Sequence, residues 1–127
     1  MSRPAHDQKQ LVFVYGSLKR GYALHHLLES QPCLGNAVTR PLYRLFDLGA
    51  YPGIVEWPEG LAIRGEVYEA DEDCLVALDK AEGVSDGFYA RRAIQLQPPF
   101  DQLNVDAWFW LHPVPGLTDC GHEWPPV

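Results

Sequence analysis

The sequence has no long apolar run and few basic residues, and these absences exclude several classes of protein. No stretch approaches the ~20 consecutive apolar residues of a membrane-spanning helix. Residues 1–10 contain no apolar segment, so we expect no signal peptide. Ten basic residues against seventeen acidic ones give a net charge of −7. A chain this acidic is poorly suited to a phosphate backbone or an anionic membrane, and we expect no nucleic-acid or membrane partner.

Cysteine is scarce, and metal-site spacing is absent. Cys33, Cys74 and Cys120 are odd in number and far apart, which is typical of reduced thiols in a cytoplasmic protein. No set of His, Cys or Asp has the spacing of a metal site, so we predict no metal and no cofactor. Cys74 lies near the start of a predicted helix, a position that can lower a thiol pKa. No histidine partner for it can be assigned.

The sequence has 127 residues, and 46% of them are hydrophobic, which is enough for a single domain with its own core. Strands are predicted over residues 11–15, 37–46, 61–69, 89–96 and 105–111, helices over 23–29 and 72–82, and a loop over 49–53. This pattern predicts an α+β fold, with a small barrel as one arrangement. We expect residues 1–9 to fray and the proline-rich residues 113–127 to form an irregular strap pinned by Trp124.

The most distinctive segment is VFVYGSLKRG at residues 12–21, where an apolar strand stops at a glycine. The spacing from Gly16 to Gly21 matches the opening of a phosphate-binding loop. Tyr22-Ala23, however, stands where such a loop requires Lys-Ser/Thr, so a nucleotide site is not predicted. A glycine lets a ligand approach the main chain closely, and successive free N–H groups there form an oxyanion cradle. An ordinary strand-to-helix turn is the alternative.

Glu82 is the second candidate, because the pattern of its helix directs a carboxylate inward. Leu75, Leu78 and Glu82 share one face of the predicted helix, and Gly83 is suited to end it. Burial and the negative end of the helix dipole would both raise the pKa of Glu82. A carboxylate so placed is suited to act as a general base. The alternative is a terminal glutamate that reaches solvent past Gly83.

Tyr89 and Arg91 are two residues apart on a predicted strand and therefore share a face. Arg91 could pair with Glu82 or bind a substrate carboxylate through two hydrogen bonds. A surface arginine on the barrel exterior is the alternative. Trp108 and Trp110 alternate with apolar residues on the last long strand and are interpreted as core or as pocket wall.

Four motifs together resemble the γ-glutamylcyclotransferase-like superfamily, which includes γ-glutamylamine cyclotransferases and AIG2-like proteins. They are VFVYGSLKRG at 12–21, GEVY at 65–68, LDKAEG at 78–83 and YAR at 89–91. Each motif alone is weak evidence for this superfamily, but the four motifs in this order along the chain are specific to it. The sequence departs from the pattern at Leu24, where many amine-type relatives carry Asn.

The resemblance implies a small mixed, mostly antiparallel β-barrel flanked by short helices. It also implies an enzyme that cleaves a γ-glutamyl amide by attack of the substrate's own α-amine, releasing 5-oxoproline and an amine or amino acid. Glu82 would be the general acid/base, and the backbone of Tyr15, Gly16, Ser17 and Leu18 would hold the glutamyl group. Tyr89 and Arg91 would contribute to substrate binding.

A cytoplasmic protein that acts without a cofactor, as a monomer or weak homodimer, is expected on the same grounds. The leaving amine is not identified by these motifs. The competing interpretation is a non-catalytic module that binds a small metabolite on the same fold. A structural or interaction domain is a third.

Overall fold

The computed structural model describes residues 9–125, and its strands form one curled, mixed sheet. The strands are β1 (Lys9–Val14), β2 (Cys33–Val38), β3 (Tyr43–Asp47), β4 (Pro52–Glu56), β5 (Arg64–Asp71), β6 (Tyr89–Ala93), β7 (Val105–Trp110) and β8 (Thr118–Asp119). Helix α1 spans Glu72–Ala81, and a 3₁₀ helix spans His25–Leu28. The sheet order is β2-β5-β1-β7-β4-β3-β8, with β6 also paired to β7. This half-barrel with one α-helix confirms the predicted α+β fold.

Most strand pairs are antiparallel, but β7 pairs in parallel with both β1 and β4. Leu11 pairs with Val105, and Ile54 with Phe109. The parallel contacts bring the end of β1 close to the beginning of β4, and the candidate site forms there. No helix within residues 9–125 is long and apolar enough to cross a membrane.

Strand β1 is buried on both faces, which explains its continuous apolar sequence. Phe13 faces the interior of the half-barrel together with Tyr15, whereas Val12 and Val14 face the cluster that packs under the helices. The same alternation holds on β7, where Phe109 faces the interior and Trp108 faces the helix side. The predicted alternation of β7 is therefore confirmed.

Helix α1 begins and ends where its capping residues predict. The carboxylate of Asp71 accepts a hydrogen bond from the backbone N–H of Cys74 at 2.8 Å, as an N-cap should. At the other end, Gly83 has a φ of +65°, and its N–H donates to the carbonyl of Lys80. The N–H of Val84 donates to the carbonyl of Asp79, which completes a Schellman motif. These bonds fix Glu82 as the C-cap.

Several local predictions need correction. The strand predicted over 61–69 is β5, Arg64–Asp71, the one predicted over 89–96 ends at Ala93, and the strap predicted to be irregular contains β8. The strand predicted over 37–46 is two strands, β2 and β3, because the chain bends at Arg40–Leu42, around Pro41. The loop predicted over 49–53 runs into β4, which sequence analysis missed because Pro52-Gly53 is typical of a turn. The helix predicted over 23–29 is a single 3₁₀ turn.

The sequence also made predictions for the two ends of the chain. The prediction that residues 1–9 fray falls on residues 1–8, outside the described residues, except that Lys9 begins β1. In the strap, β8 pairs with β3, and Trp124 packs against the interior core, with its ring 5.6 Å from that of Tyr22. Residues 126–127 lie outside the described residues.

Candidate active site

A recess and an adjoining cleft lie between the end of β1, the end of α1 and the start of β4. The recess is lined by the turn from Tyr15 to Leu18, by Tyr51 and Pro52, and by Glu82. The cleft beside it has a volume of about 300 Å³. Ser17, Tyr51 and Glu82 line both, so one molecule bound across them would contact the turn and the carboxylate together.

The turn after β1 depends on close contact between Gly16 and Pro52. A Cβ atom added at Gly16 would lie 2.5 Å from Cδ of Pro52, closer than any side chain allows. Within residues 9–125, no hydrogen bond has the backbone N–H of Ser17 or Leu18 as its donor. These two N–H groups are therefore available to a ligand. The N–H of Lys19 donates to the carbonyl of Gly16 at 2.9 Å, so Ser17 and Leu18 are the central residues of a turn, where such N–H groups are commonly free. The cradle therefore stays a prediction.

The side chain of Tyr15 anchors the turn from inside the half-barrel. Its hydroxyl donates to the carbonyl of Trp108 at 2.6 Å and accepts from the N–H of Ile54 at 3.2 Å. Burial raises the pKa of Tyr15 well above its usual value, and the nearby Tyr89 and Glu82 raise it further. Tyr15 therefore stays neutral and ties the turn to β7 and β4.

Glu82 lies on the opposite side of the recess. It follows the last residue of α1, is partly buried and lines the recess, one turn after the buried Leu78. Burial raises the pKa of Glu82 to about 7, and the negative charge of Asp79 adds to the shift. Among residues 9–125, none donates a hydrogen bond or forms an ion pair to its carboxylate. Near neutral pH this group can both accept and donate a proton.

Tyr89 closes the cleft from β6. Its hydroxyl donates to the carbonyl of Pro52 at 2.7 Å, and its ring packs edge-on against Trp110 with centroids 5.2 Å apart. Burial raises its pKa far above the usual value, and the charge of Glu82 adds to the shift. Tyr89 thus holds the segment at Pro52 against the turn, in addition to lining the cleft.

Arg91 lies apart from these residues. Its Nε is 3.1 Å from the carboxylate of Asp79, and one terminal nitrogen is 3.0 Å from that of Asp106. Of the alternatives considered for Arg91, a pair with Glu82 is therefore not formed. Arg91 lies two residues, or about 6.6 Å, further along β6 than Tyr89. At that distance its side chain lies beyond the cleft that Tyr89 lines. Arg91 is not among the residues of the recess or the cleft.

Sequence analysis missed Tyr51, Pro52 and Phe88, which also line the recess or the cleft. Tyr51 and Phe88 are exposed aromatic side chains next to turn glycines, a signal that could have suggested binding residues. Trp108, interpreted as core or pocket wall, is both: it is buried and it lines the recess. Within the described part of the chain, no three His, Cys, Asp or Glu side chains group as metal ligands.

The sequence matches a family model and the sequences of known proteins, and its fold matches solved structures. The model of the family described as gamma-glutamyl cyclotransferase, AIG2-like, matches residues 12–125. A Vibrio cholerae protein named "Putative gamma-glutamylcyclotransferase" is 38% identical over 116 residues, which cover 91% of this chain and 96% of its own. The matched family segment contains the turn at 15–18 and Glu82.

Solved structures agree with this assignment of the fold. The solution structure of the protein YtfP from Escherichia coli is 33% identical with a TM-score of 0.67, covering 91% of this chain and 96% of the other. The crystal structure of an AIG2-like protein from Mus musculus is 28% identical with a TM-score of 0.76, covering 88% and 86%.

Proposed function

The chain belongs to the gamma-glutamyl cyclotransferase, AIG2-like family, and we propose that it cleaves a γ-glutamyl amide by attack of the substrate's own α-amine. The products are 5-oxoproline and a free amine or amino acid. One observation carries the proposal: Glu82, with its pKa raised to about 7, lines the same recess as the turn after β1, where the N–H groups of Ser17 and Leu18 donate no hydrogen bond within residues 9–125.

The proposed reaction begins with a proton transfer. The Glu82 carboxylate takes a proton from the substrate α-ammonium, and the resulting amine attacks the γ-carbonyl carbon to close a five-membered ring. The backbone N–H groups of Ser17 and Leu18 stabilise the oxyanion that develops on the γ-carbonyl oxygen. The Tyr15–Leu18 backbone also holds the glutamyl carboxylate.

The ring is released by a second proton transfer. Protonated Glu82 donates to the leaving nitrogen as the carbon–nitrogen bond breaks, and the new ring nitrogen loses its remaining extra proton to the freed amine. No water is consumed, and no cofactor enters the proposed reaction. Much of the rate comes from holding the glutamyl chain curled, because the two reacting groups belong to one bound molecule.

The three cysteines carry free thiols, which supports a reducing compartment, and we propose that the protein acts in the cytoplasm.

The direct test is a product assay. Wild type, Glu82→Gln and a control, Glu59→Gln, are incubated with γ-glutamyl amino acids and γ-glutamyl amines, and 5-oxoproline is measured by mass spectrometry. Wild type and the exposed-carboxylate control should form 5-oxoproline. Glu82→Gln should lose about 10²- to 10⁴-fold in rate, because it cannot exchange a proton. Circular dichroism checks that the variant folds.

Two outcomes would contradict the proposal. Full activity in Glu82→Gln would remove Glu82 from the chemistry. Absence of 5-oxoproline from wild type, combined with a higher Tm in the presence of 5-oxoproline, would identify a non-catalytic binding module instead.

A further inference from the structure

The outer part of the cleft is walled by apolar side chains from three separate segments. Leu24 comes from the turn before the 3₁₀ helix, Tyr51 from the segment before β4, and Phe88 from the turns after α1. All three line the same cleft as Glu82. The recess has a volume of only about 10 Å³, room for about one water-sized group, whereas the cleft has about 300 Å³. The cleft would therefore hold most of a substrate bound against Glu82, including the group on its leaving nitrogen.

Phe88 is exposed, yet its position is fixed. Its side chain is 48% exposed, while Gly83 lies so close that an added Cβ there would be 2.7 Å from the Phe88 ring. The centroids of the Phe88 and His112 rings lie 6.1 Å apart, and His112 Nε2 lies 2.9 Å from the carbonyl oxygen of Gly87. Trp110 continues this row of rings behind His112, at 5.0 Å. The exposed aromatic surface is therefore preorganised.

Tyr51 is a second exposed aromatic side chain held in the same way. It is 43% exposed, and its ring lies 6.4 Å from that of Tyr89. Tyr89 is itself fixed by its hydrogen bond to the carbonyl of Pro52. Rigid, exposed aromatic rings beside a reacting centre are typical of a subsite for an apolar group.

We propose that the cleft binds a large, flat, apolar group on the leaving nitrogen, so that the substrate is the γ-glutamyl amide of an arylalkyl amine or of an aromatic amino acid. This inference rests on the proposed function. Lys80 and Asp86 both line the cleft. If the leaving group is an amino acid, Lys80 can pair with its carboxylate; an arylalkyl amine has no such carboxylate. The experiment distinguishes these two kinds of leaving group.

The experiment compares matched substrates. Values of kcat/KM are measured for γ-glutamyl-phenethylamine against γ-glutamyl-ethylamine, and for γ-glutamyl-phenylalanine against γ-glutamyl-alanine. We expect the aromatic member to be preferred at least about tenfold in one or both pairs, since apolar pockets discriminate on this scale. Preference in the amine pair alone identifies an arylalkyl amine, and preference in the amino-acid pair identifies an aromatic amino acid.

Variants assign the preference to the aromatic walls. Phe88→Ala should lower the ratio of aromatic to small substrate about tenfold or more, and Phe88→Tyr should restore it. Tyr51→Ala should lower the same ratio and serves if Phe88→Ala does not fold. Leu103→Ala is the matched control, because Leu103 is also 48% exposed but does not line the cleft. It should leave the ratio unchanged.

A binding measurement separates this inference from the proposed function. Glutaryl phenethylamide and glutaryl ethylamide lack the α-amine and cannot cyclise, so their effect on Tm reports binding alone. Absence of 5-oxoproline from every substrate would overturn the reaction, while a larger Tm increase with the phenethylamide would still support the apolar subsite. Formation of 5-oxoproline with equal kcat/KM for aromatic and small amides would overturn the subsite and leave the reaction standing.

Discussion

Asp79 and Glu82 lie one helical turn apart at the end of α1, and they occupy opposite environments. The carboxylate of Asp79 accepts hydrogen bonds from Arg91 at 3.1 Å and from the indole of Trp108 at 2.8 Å. Arg91 also contacts Asp106, and we call Asp79, Arg91 and Asp106 the ionic cluster. Glu82, by contrast, has no partner among residues 9–125, and burial raises its pKa to about 7.

One helix end therefore carries two carboxylates in different surroundings: Asp79 is held by an ion pair, and Glu82 is the one proposed to transfer protons. The carboxylate of Asp79 joins α1 to β6 through Arg91 and to β7 through the indole of Trp108. The carboxylate of Glu82 is partly buried and has no partner among residues 9–125, and its raised pKa costs stability but suits proton transfer. The predictions below test whether the two carboxylates are as separate as the structure indicates.

The largest effect on stability is expected from Arg91→Met. Removing the guanidinium leaves Asp79 and Asp106 without their cation, and we expect the free energy of unfolding to fall by about 2–3 kcal/mol, reduced from the fully buried case because these side chains are partly exposed. Urea unfolding at pH 7 measures this change, with Arg91→Lys as the control that keeps the charge. A KM for γ-glutamyl substrates that rises more than tenfold would show instead that Arg91 binds the substrate carboxylate.

An effect of similar size and opposite sign is expected from Glu82→Gln at high pH. The folded protein holds the Glu82 proton more tightly than the unfolded chain, so the burial penalty is absent below about pH 4.5, grows with pH and is complete above about pH 7. Glutamine carries no such penalty. The variant should exceed wild type by about 2–3 kcal/mol at pH 8 and by less than ~1 kcal/mol at pH 5.

Urea unfolding at the two pH values checks this prediction. Glu59→Gln, at an exposed turn, is the control and should show no gain that depends on pH. Equal stability of Glu82→Gln and wild type at pH 8 would mean that Glu82 is solvated in the folded state.

The smallest effect is expected on the pH dependence of activity. The proposed reaction requires the base form of Glu82, so kcat/KM of wild type should rise with pH through about 7. Asp79→Asn removes a negative charge that raises the pKa of Glu82, and the rise should move to lower pH by a fraction of a unit. A profile unchanged by Asp79→Asn would indicate that the two carboxylates do not interact.

The sequence was informative where local signals decide structure. Asp71 and Gly83 predicted the helix between them, and the alternation on β7 predicted which side chains face the interior. The inward direction of Glu82 followed from its place in the same helical pattern. These features depend on a few neighbouring residues, and no distant contact is needed to recognise them.

Features that depend on distant contacts were missed. Strand β4 begins at Pro52-Gly53, and Gly53 is required because an added Cβ would lie 2.7 Å from Trp110, far along the chain. Cys74 shows the same limit: its place near a helix N-terminus suggested a lowered thiol pKa, but burial raises that pKa to about 11. The cleft walls at Tyr51 and Phe88 likewise become recognisable only when three segments meet.

The hydrogen bond from Tyr15 to the carbonyl of Trp108 joins residues 93 positions apart, and this has a consequence for synthesis. On the ribosome, β1 is made first, and its parallel neighbour β7 is made almost last. Until β7 emerges, the apolar faces of β1 lack that neighbour, and the turn after it lacks its anchor on β7. A nascent chain is therefore expected to acquire its recess in one late step, with aggregation as the competing outcome before it.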